Sequence, residues 1–210
     1  TPPFIGQGLG AGMRDATNLS WKLAAVLSGD MAPDILDTYQ HERRPHARHM
    51  IAMALGVGRA MTAGGNVGNL TRRLVAPRLH LIPGLRAKFT DSTTPRLHRS
   101  AFVQRSLTGS GLTGRLCPNP LLDNDSRLDD VLGIGFALVS RTSPDQDDLD
   151  LITGRGARFH HAEPGSELAA WLAVGRATAA VVRPDHTVMC AGRDVSVLCR
   201  ALPAFCFTSP

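Results

Sequence analysis

The sequence predicts an α/β chain with a helical first half and a compact closing unit of strands and helices. Three observations predict this. Glycines at every second position, Gly6, Gly8, Gly10 and Gly12, run straight into apolar residues at helical spacing, Ala16, Leu19, Leu23, Val26 and Leu27. A second helical pattern extends from Asp34 towards Ala63. After Pro118-Asn119-Pro120 the pattern changes to short apolar runs alternating with amphipathic stretches.

The first stretch organises the rest. The chain enters it through a stiff Pro2-Pro3 pair. Glycines let a backbone adopt positive φ and let a ligand approach without meeting a Cβ. The first turn of a helix carries unpaired N–H groups and a partial positive charge. Together they make a seat for something flat or anionic. As a bare pattern, Gly6-x-Gly8-x-x-Ala11 fits a loose dinucleotide fingerprint, but that fingerprint needs a preceding strand, which Pro2-Pro3 argues against. A purely structural glycine-rich turn stays open at this level.

The wording of the stretch says more than its spacing. Pro-Pro-Phe-x-Gly-Gln-Gly-x-x-x-Gly-x-x-Asp-Ala-x-Asn-Leu-x-Trp-Lys-Leu-Ala, from Pro2 to Ala24, resembles the third flavin-contacting segment of the single-component FAD-dependent aromatic hydroxylases. Within them it is most similar to the 3-(3-hydroxyphenyl)propionate hydroxylase group. The resemblance implies that the backbone N–H groups of Leu9 and Gly10 meet flavin O2 and N3. It implies that Gly8, Ala11 and Gly12 complete the turn, and that Pro2 and Pro3 line the substrate side of the ring. It also implies FAD as cofactor, NADH or NADPH as reductant, O2 as oxidant, and a small phenolic substrate of the phenylpropanoid-acid type. Asp15 and Asn18 match the motif, either touching flavin or pinning the helix.

Several classes are disfavoured by composition. The chain has 210 residues, with 23 Lys and Arg against 18 Asp and Glu, and the basic residues are scattered singly and in pairs. That favours a solvated basic surface over a nucleic-acid tract. No membrane-length apolar run and no secretory signal is evident. The four cysteines, Cys117, Cys190, Cys199 and Cys206, form no C-x-x-C pair and no metal spacing, so free thiols in a reducing cytoplasm are expected. Adjacent His160-His161 with Glu163 reads as a surface pair, because neighbours on a strand point to opposite faces. No metal site is expected.

In chain order, the first helix should end near Ser28 at Gly29-Asp30, and Asp34 should open a second through Ile35, Leu36 and Tyr39. The dense patch His41 to His49 reads as a helix kinked at Pro45, its charged face meeting solvent or a neighbouring domain; its wording, Tyr39 to Ala47, also resembles the hydroxylases. Met50 to Ala63 is expected to pack against the catalytic body or against a second copy in a homodimer. Gly64-Gly65-Asn66 should break that helix before a shorter one at Val67 to Leu81. Arg86 to Asn119 has no sustained period and reads as a connector.

Gly135 to Ser140 and Ala157 to His160 read as strands, with a short acidic helix from Pro144 to Ile152 between them. A helical turn at Glu167 to Leu172, a hairpin within Ala179 to Met189 and a helix around Val195 to Leu202 follow. Strand, helix, strand, helix, hairpin, helix is the order expected of a thioredoxin-like fold. Leu132-Gly133-x-Gly135-Phe136 and Val182-Arg183-Pro184-Asp185 resemble the terminal domain of the same hydroxylases.

The expected organisation is therefore an α/β fragment: the helical remainder of a flavin hydroxylase body over 1–100, a connector over 101–120 and a thioredoxin-like domain over 121–210. Because the chain opens inside a motif, it is expected to be the C-terminal part of a longer enzyme, inactive by itself. No catalytic residue is assignable, and no general base has a nameable partner. A non-enzymatic interaction module and a nucleic-acid binder are the competing readings.

Overall fold

A computed structural model describes residues 8–62, 96–104, 110–122 and 125–205. Pro2, Pro3, the expected helix at 67–81 and Cys206 lie outside the described residues. Two helices come first: α1, Gly8–Leu27, and α2, Ile35–Thr62. Gly29, at φ +80°, stops α1 where expected. Helix α2 runs without interruption through Pro45.

The closing unit contains α3 (Leu128–Leu132), β1 (Ala137–Ser140), α4 (Gln146–Gly154) and β2 (Arg158–His161). Then follow α5 (Glu167–Val174), β3 (Ala179–Val182), β4 (Val188–Gly192) and α6 (Val195–Ala201). Helices α4, α5 and α6 start at side-chain caps, with Asp145, Ser166 and Asp194 accepting from the N–H of Asp148, Ala169 and Val197. The strands form one open sheet in the order β2-β1-β3-β4. β1 pairs with β2 in parallel across the α4 crossover, and with β3 antiparallel; β3 and β4 form the hairpin. Short α3 has no counterpart in the sequence reading. The expected connector contributes only isolated bridges among its described residues, one of them Leu116 to Thr187.

Alternation along the strands sends side chains to two cores. Leu138, Val181 and Met189 face one core with Phe136, Leu198 and Phe205. Val139, Ala180, Val182 and Val188 face the other with Leu128, Leu168 and Leu172. The first core also takes in Trp21 and Ala25 of α1, so the N-terminal helix docks directly on the sheet unit. Trp21 meets Phe102, Phe136 and Phe205 edge-on, with centroids 5.4, 5.6 and 6.3 Å away. Such pairs add about 0.5–1.5 kcal/mol each beyond the area buried.

This corrects the expected inner face of α1. Ala16, Leu23 and Leu27 are exposed and Leu19 and Val26 only half-buried, whereas Asn18, Trp21, Lys22 and Ala25 are buried. The reason is electrostatic: the polar members of the true inner face find charged partners inside the protein, as described below.

The second core is tightest where the end of α5 meets Leu112. A Cβ added at Gly175 would come within 2.3 Å of Leu112 Cγ and 2.5 Å of its Cδ1. Leu112 is itself buried and cannot swing away freely. Gly175→Ala is expected to cost about 1–3 kcal/mol by overpacking. A fall in the urea midpoint at unchanged slope would show it, and an unshifted midpoint would mean that Leu112 repacks without cost.

Candidate flavin-contacting site and the charge network behind it

The N-terminal turn of α1 is accessible. Leu9 is 77% exposed, Gly12 is exposed, Gly8 and Gly10 are half-exposed, and Ala11 is turned inward. No acidic residue lies in the first turn to neutralise the field of the helix. A Cβ at Gly10 or Gly12 would meet nothing within 4 Å. Each glycine therefore costs the helix about 1 kcal/mol relative to alanine with no steric need inside the described chain. The expected set, Gly8, Leu9, Gly10, Ala11 and Gly12, thus opens α1, with all but Ala11 accessible and no acidic residue in the first turn to repel an electron-rich group.

Gly10→Ala and Gly12→Ala are accordingly expected to raise the stability of the chain by about 0.5–1 kcal/mol each while weakening flavin binding. Urea unfolding of the chain, beside FAD titration of the longer protein, checks this. Destabilisation by either alanine would mean that the glycine serves the chain's own packing.

Behind this turn, α1 is tied down twice. Arg43 of α2 donates from Nε to Asp15 Oδ1 at 2.5 Å and from Nη2 to the Ala11 carbonyl at 3.3 Å. One turn further along, Asn18 donates from Nδ2 to Glu42 Oε2 at 2.9 Å and to Asp185 Oδ2 at 3.0 Å. Both motif residues therefore pin the helix. Lys22 Nζ donates to Asn18 Oδ1 at 3.0 Å and to Glu42 Oε2 at 3.1 Å. Arg183, just after β3, donates to both Glu42 oxygens at 3.0 Å and to Asp185. Ser100 donates its hydroxyl to Glu42 Oε1, and the Phe102 carbonyl accepts from Arg183.

Lys22, Glu42 and Arg183 have fully buried side chains, and Asp185 is nearly so. Two cations face two anions, so the network is neutral as a whole. Burial pushes the Glu42 and Asp185 carboxyls up, but Arg183, Lys22 and the hydrogen bonds they accept together outweigh it and leave both below the ordinary carboxylate values. Burial lowers Lys22 to about 8 against the pull of Glu42. Burial opposes the charge on Arg183, but Asp185 and Glu42 outweigh it and hold the guanidinium charged.

The sequence reading missed this network. Its signals were present: an Arg closing an all-apolar strand run, and Asn18 and Lys22 one turn apart on the Trp21 side of the helix. The dense basic patch is also divided, because Glu42 and Arg43 point inward while His41, Arg44 and Arg48 stay exposed.

The other candidates are quieter. Cys117, Cys190 and Cys199 are free and buried, and burial pushes their thiols up to about 12, 12 and 11. Thiol exchange needs the opposite, an accessible and activated thiolate. Cys190 lies inside β4. His160 and His161 line a cavity of about 500 Å³ with Glu163 and Glu167, the His161–Glu163 pair being 4.0 Å apart. Among the described residues no group of three or more His, Cys, Asp or Glu is placed to hold a metal ion. Among them, too, no helix is long and apolar enough to cross a membrane.

Comparison with known proteins decides what the α1 turn belongs to. Residues 1–54 match the family described as FAD binding domain. The 3-(3-hydroxy-phenyl)propionate/3-hydroxycinnamic acid hydroxylase 2 of Burkholderia vietnamiensis (strain G4 / LMG 22486) is 36% identical over 172 residues, 76% of this chain and 31% of that protein. The chain is a relative of the FAD-dependent aromatic hydroxylases.

A hydroxylase of the same substrate name from Mycolicibacterium gilvum (strain PYR-GCK) is 31% identical over 227 residues, covering 90% of this chain and 39% of that protein. The chain thus spans about a third of the length of these curated relatives, 31% and 39%. Among solved structures, RebC-10x soaked with chromopyrrolic acid and holding 7-carboxy-K252c superposes with a TM-score of 0.70 at 25% identity, over 96% of this chain and 42% of that one. OxyS anhydrotetracycline hydroxylase from Streptomyces rimosus gives 0.66 at 26% identity, over 90% and 38%. Coverage this wide takes in the sheet unit as well as the α1–α2 pair of this FAD-dependent hydroxylase relative.

Proposed function

We propose that this chain forms part of a flavoprotein monooxygenase that hydroxylates a phenolic ring, on a substrate of the phenylpropanoid-acid type, using FAD, NADH or NADPH, and O2. The observation that carries the reading is the accessible, glycine-lined first turn of α1 inside the stretch that matches an FAD binding domain. FAD, when bound, supplies the redox chemistry. The chain's part is to present the N–H groups of Leu9 and Gly10 to the pyrimidine edge, where a helix N-terminus favours negative charge. Pro2 and Pro3 are assigned to the substrate side of the ring. The relatives' hydroxyphenyl-propionate names support the substrate class.

In this reading 1–100 is the flavin-contacting and helical part, 101–120 a connector and 121–210 a thioredoxin-like domain working in the cytoplasm. The sheet order β2-β1-β3-β4, with β3 antiparallel to its neighbours, supports the last assignment. The buried, unactivated thiols give that domain a structural role. One helix turn seats one edge of the ring, whereas adenosine and pyrophosphate need seats of their own. The 210-residue chain alone is therefore expected to be inactive.

The test is intact mass with a visible spectrum, followed by O2 uptake with 3-(3-hydroxyphenyl)propionate and NADH or NADPH. Flavin bands and a product one oxygen heavier support the reading in a longer protein; a colourless longer protein removes it. Flavin bands on the 210-residue chain alone would overturn its expected inactivity.

A second reading, a self-associating module without flavin, is favoured by the exposed apolar residues Leu9, Met13, Leu23 and Leu27 along α1. Sedimentation of the chain as a monomer would eliminate it.

A further inference from the structure

We infer that Arg183 and Asp185, on the sheet unit, are positioning residues for the flavin-contacting turn of α1, acting through Asn18, Lys22 and Glu42. This rests on the flavin reading of the α1 turn. Asn18 Nδ2 is shared between Glu42 of α2 and Asp185 of the β3–β4 turn, 2.9 and 3.0 Å away. A roll or slide of α1 by one residue would break both bonds. It would also draw Lys22 away from Glu42, whose side chain is fully buried. Sheet unit, α2 and α1 thus share one set of buried charges, and the network admits one placement of the helix.

The lever arm makes that placement matter. Gly10 precedes Asn18 by eight residues, roughly 12 Å along a helix rising 1.5 Å per residue. A tilt of about 5° at Asn18 therefore moves the turn by roughly 1 Å, a displacement that can cost on the order of a hundredfold in a reaction that depends on alignment. The other tie does not replace this one. Arg43–Asp15 joins α1 to α2 alone, and the Asp15 side chain is 37% exposed.

The geometry gives the sheet unit a role that needs no chemistry of its own. It holds Arg183 and Asp185 rigidly on a hairpin, where Arg183 N donates to the Thr187 carbonyl and Thr187 N to Asp185 Oδ1. Together with Glu42 they clamp the helix that meets the cofactor.

The test compares Asp185→Asn and Arg183→Lys with Gly175→Ala, which destabilises the same unit through its other core and leaves the network intact. In the 210-residue chain, amide exchange over α1 should quicken about tenfold relative to the β1 and β3 amides in the two network variants. In Gly175→Ala that ratio should stay at the wild-type value. In the flavin-loaded longer protein, the network variants should raise the FAD dissociation constant about tenfold and shift the flavin midpoint potential, and Gly175→Ala should do neither. Equal behaviour of network and control variants overturns the inference. If Asp185→Asn fails to fold, Ser100→Ala removes the hydroxyl bond to Glu42 together with the bond that hydroxyl accepts from Phe102 N, and serves as the milder arm. A colourless wild-type longer protein would overturn the flavin reading, and the exchange ratio would still decide whether the network holds α1.

Discussion

Arg183→Met is expected to destabilise the chain by about 3–5 kcal/mol, because it leaves buried carboxylates without their main counter-charge. Arg183 donates to Glu42 through Nη1 and to Asp185 through Nε and Nη2, and its side chain is fully buried. Met fills a similar volume, so the loss reports charge and hydrogen bonding more than a cavity. Arg183→Lys keeps the charge but loses the planar fork, and should fall between Met and wild type. Urea unfolding of the three proteins measures this. A loss for Met below about 1 kcal/mol, the range of solvent-exposed pairs, would mean that water reaches the network and replaces the guanidinium. Removing Glu42 as well should recover part of the loss, since the remaining Lys22 and Asp185 then balance.

What the sequence showed and what it concealed divide along interaction range. The hairpin was legible because Ala179 to Val182 and Val188 onward are β-rich runs separated by a Pro-Asp turn, a local signal. Helix α4 was legible from its acidic start, and the cap by Asp145 bears that out. The glycine-rich start of α1 was legible from its spacing, and its family from its wording. The inner face of α1 was not. Apolar spacing pointed to Leu23 and Leu27, yet the helix buries Asn18 and Lys22, whose partners Glu42 and Asp185 stand up to 167 residues away. Hydropathy counts Lys22 as an outside residue, and only a partner from a distant segment makes it an inside one. The same holds for Arg183, which at sequence level was one word of a Val-Arg-Pro-Asp turn. Nothing local says that the turn reaches across to another half of the chain.

The charge network also sets how stability follows pH, and the sign differs at the two ends. Glu42 and Asp185 sit below their ordinary values of 4.5 and 3.8, burial being outweighed by Arg183, Lys22 and the accepted hydrogen bonds together. Their contribution is complete above those ordinary values. It is lost as pH falls through the folded ones, by up to about 1.4 kcal/mol per pH unit for each group. His160, lowered by burial and then by His161, adds a milder loss as pH falls below 6.5. On the alkaline side, Lys22 drops from 10.5 to about 8, so between these values the unfolded chain holds a proton the folded chain has shed. Stability should therefore rise from about pH 8. The thiols work the other way: above 9.0 the unfolded cysteines ionise, while Cys117 and Cys190 stay protonated to about 12 and Cys199 to about 11. Three thiols outweigh one amine, so the curve should turn over near pH 9. Urea midpoints taken in half-unit steps from pH 3 to 10 would trace this shape. Lys22→Met should abolish the rise between 8 and 9 and leave an acid limb that is shallower, because Lys22 also helps hold Glu42 and Asp185 below their ordinary values. A rise that survives in that variant would assign it to another group and return Lys22 to an ordinary, solvated amine.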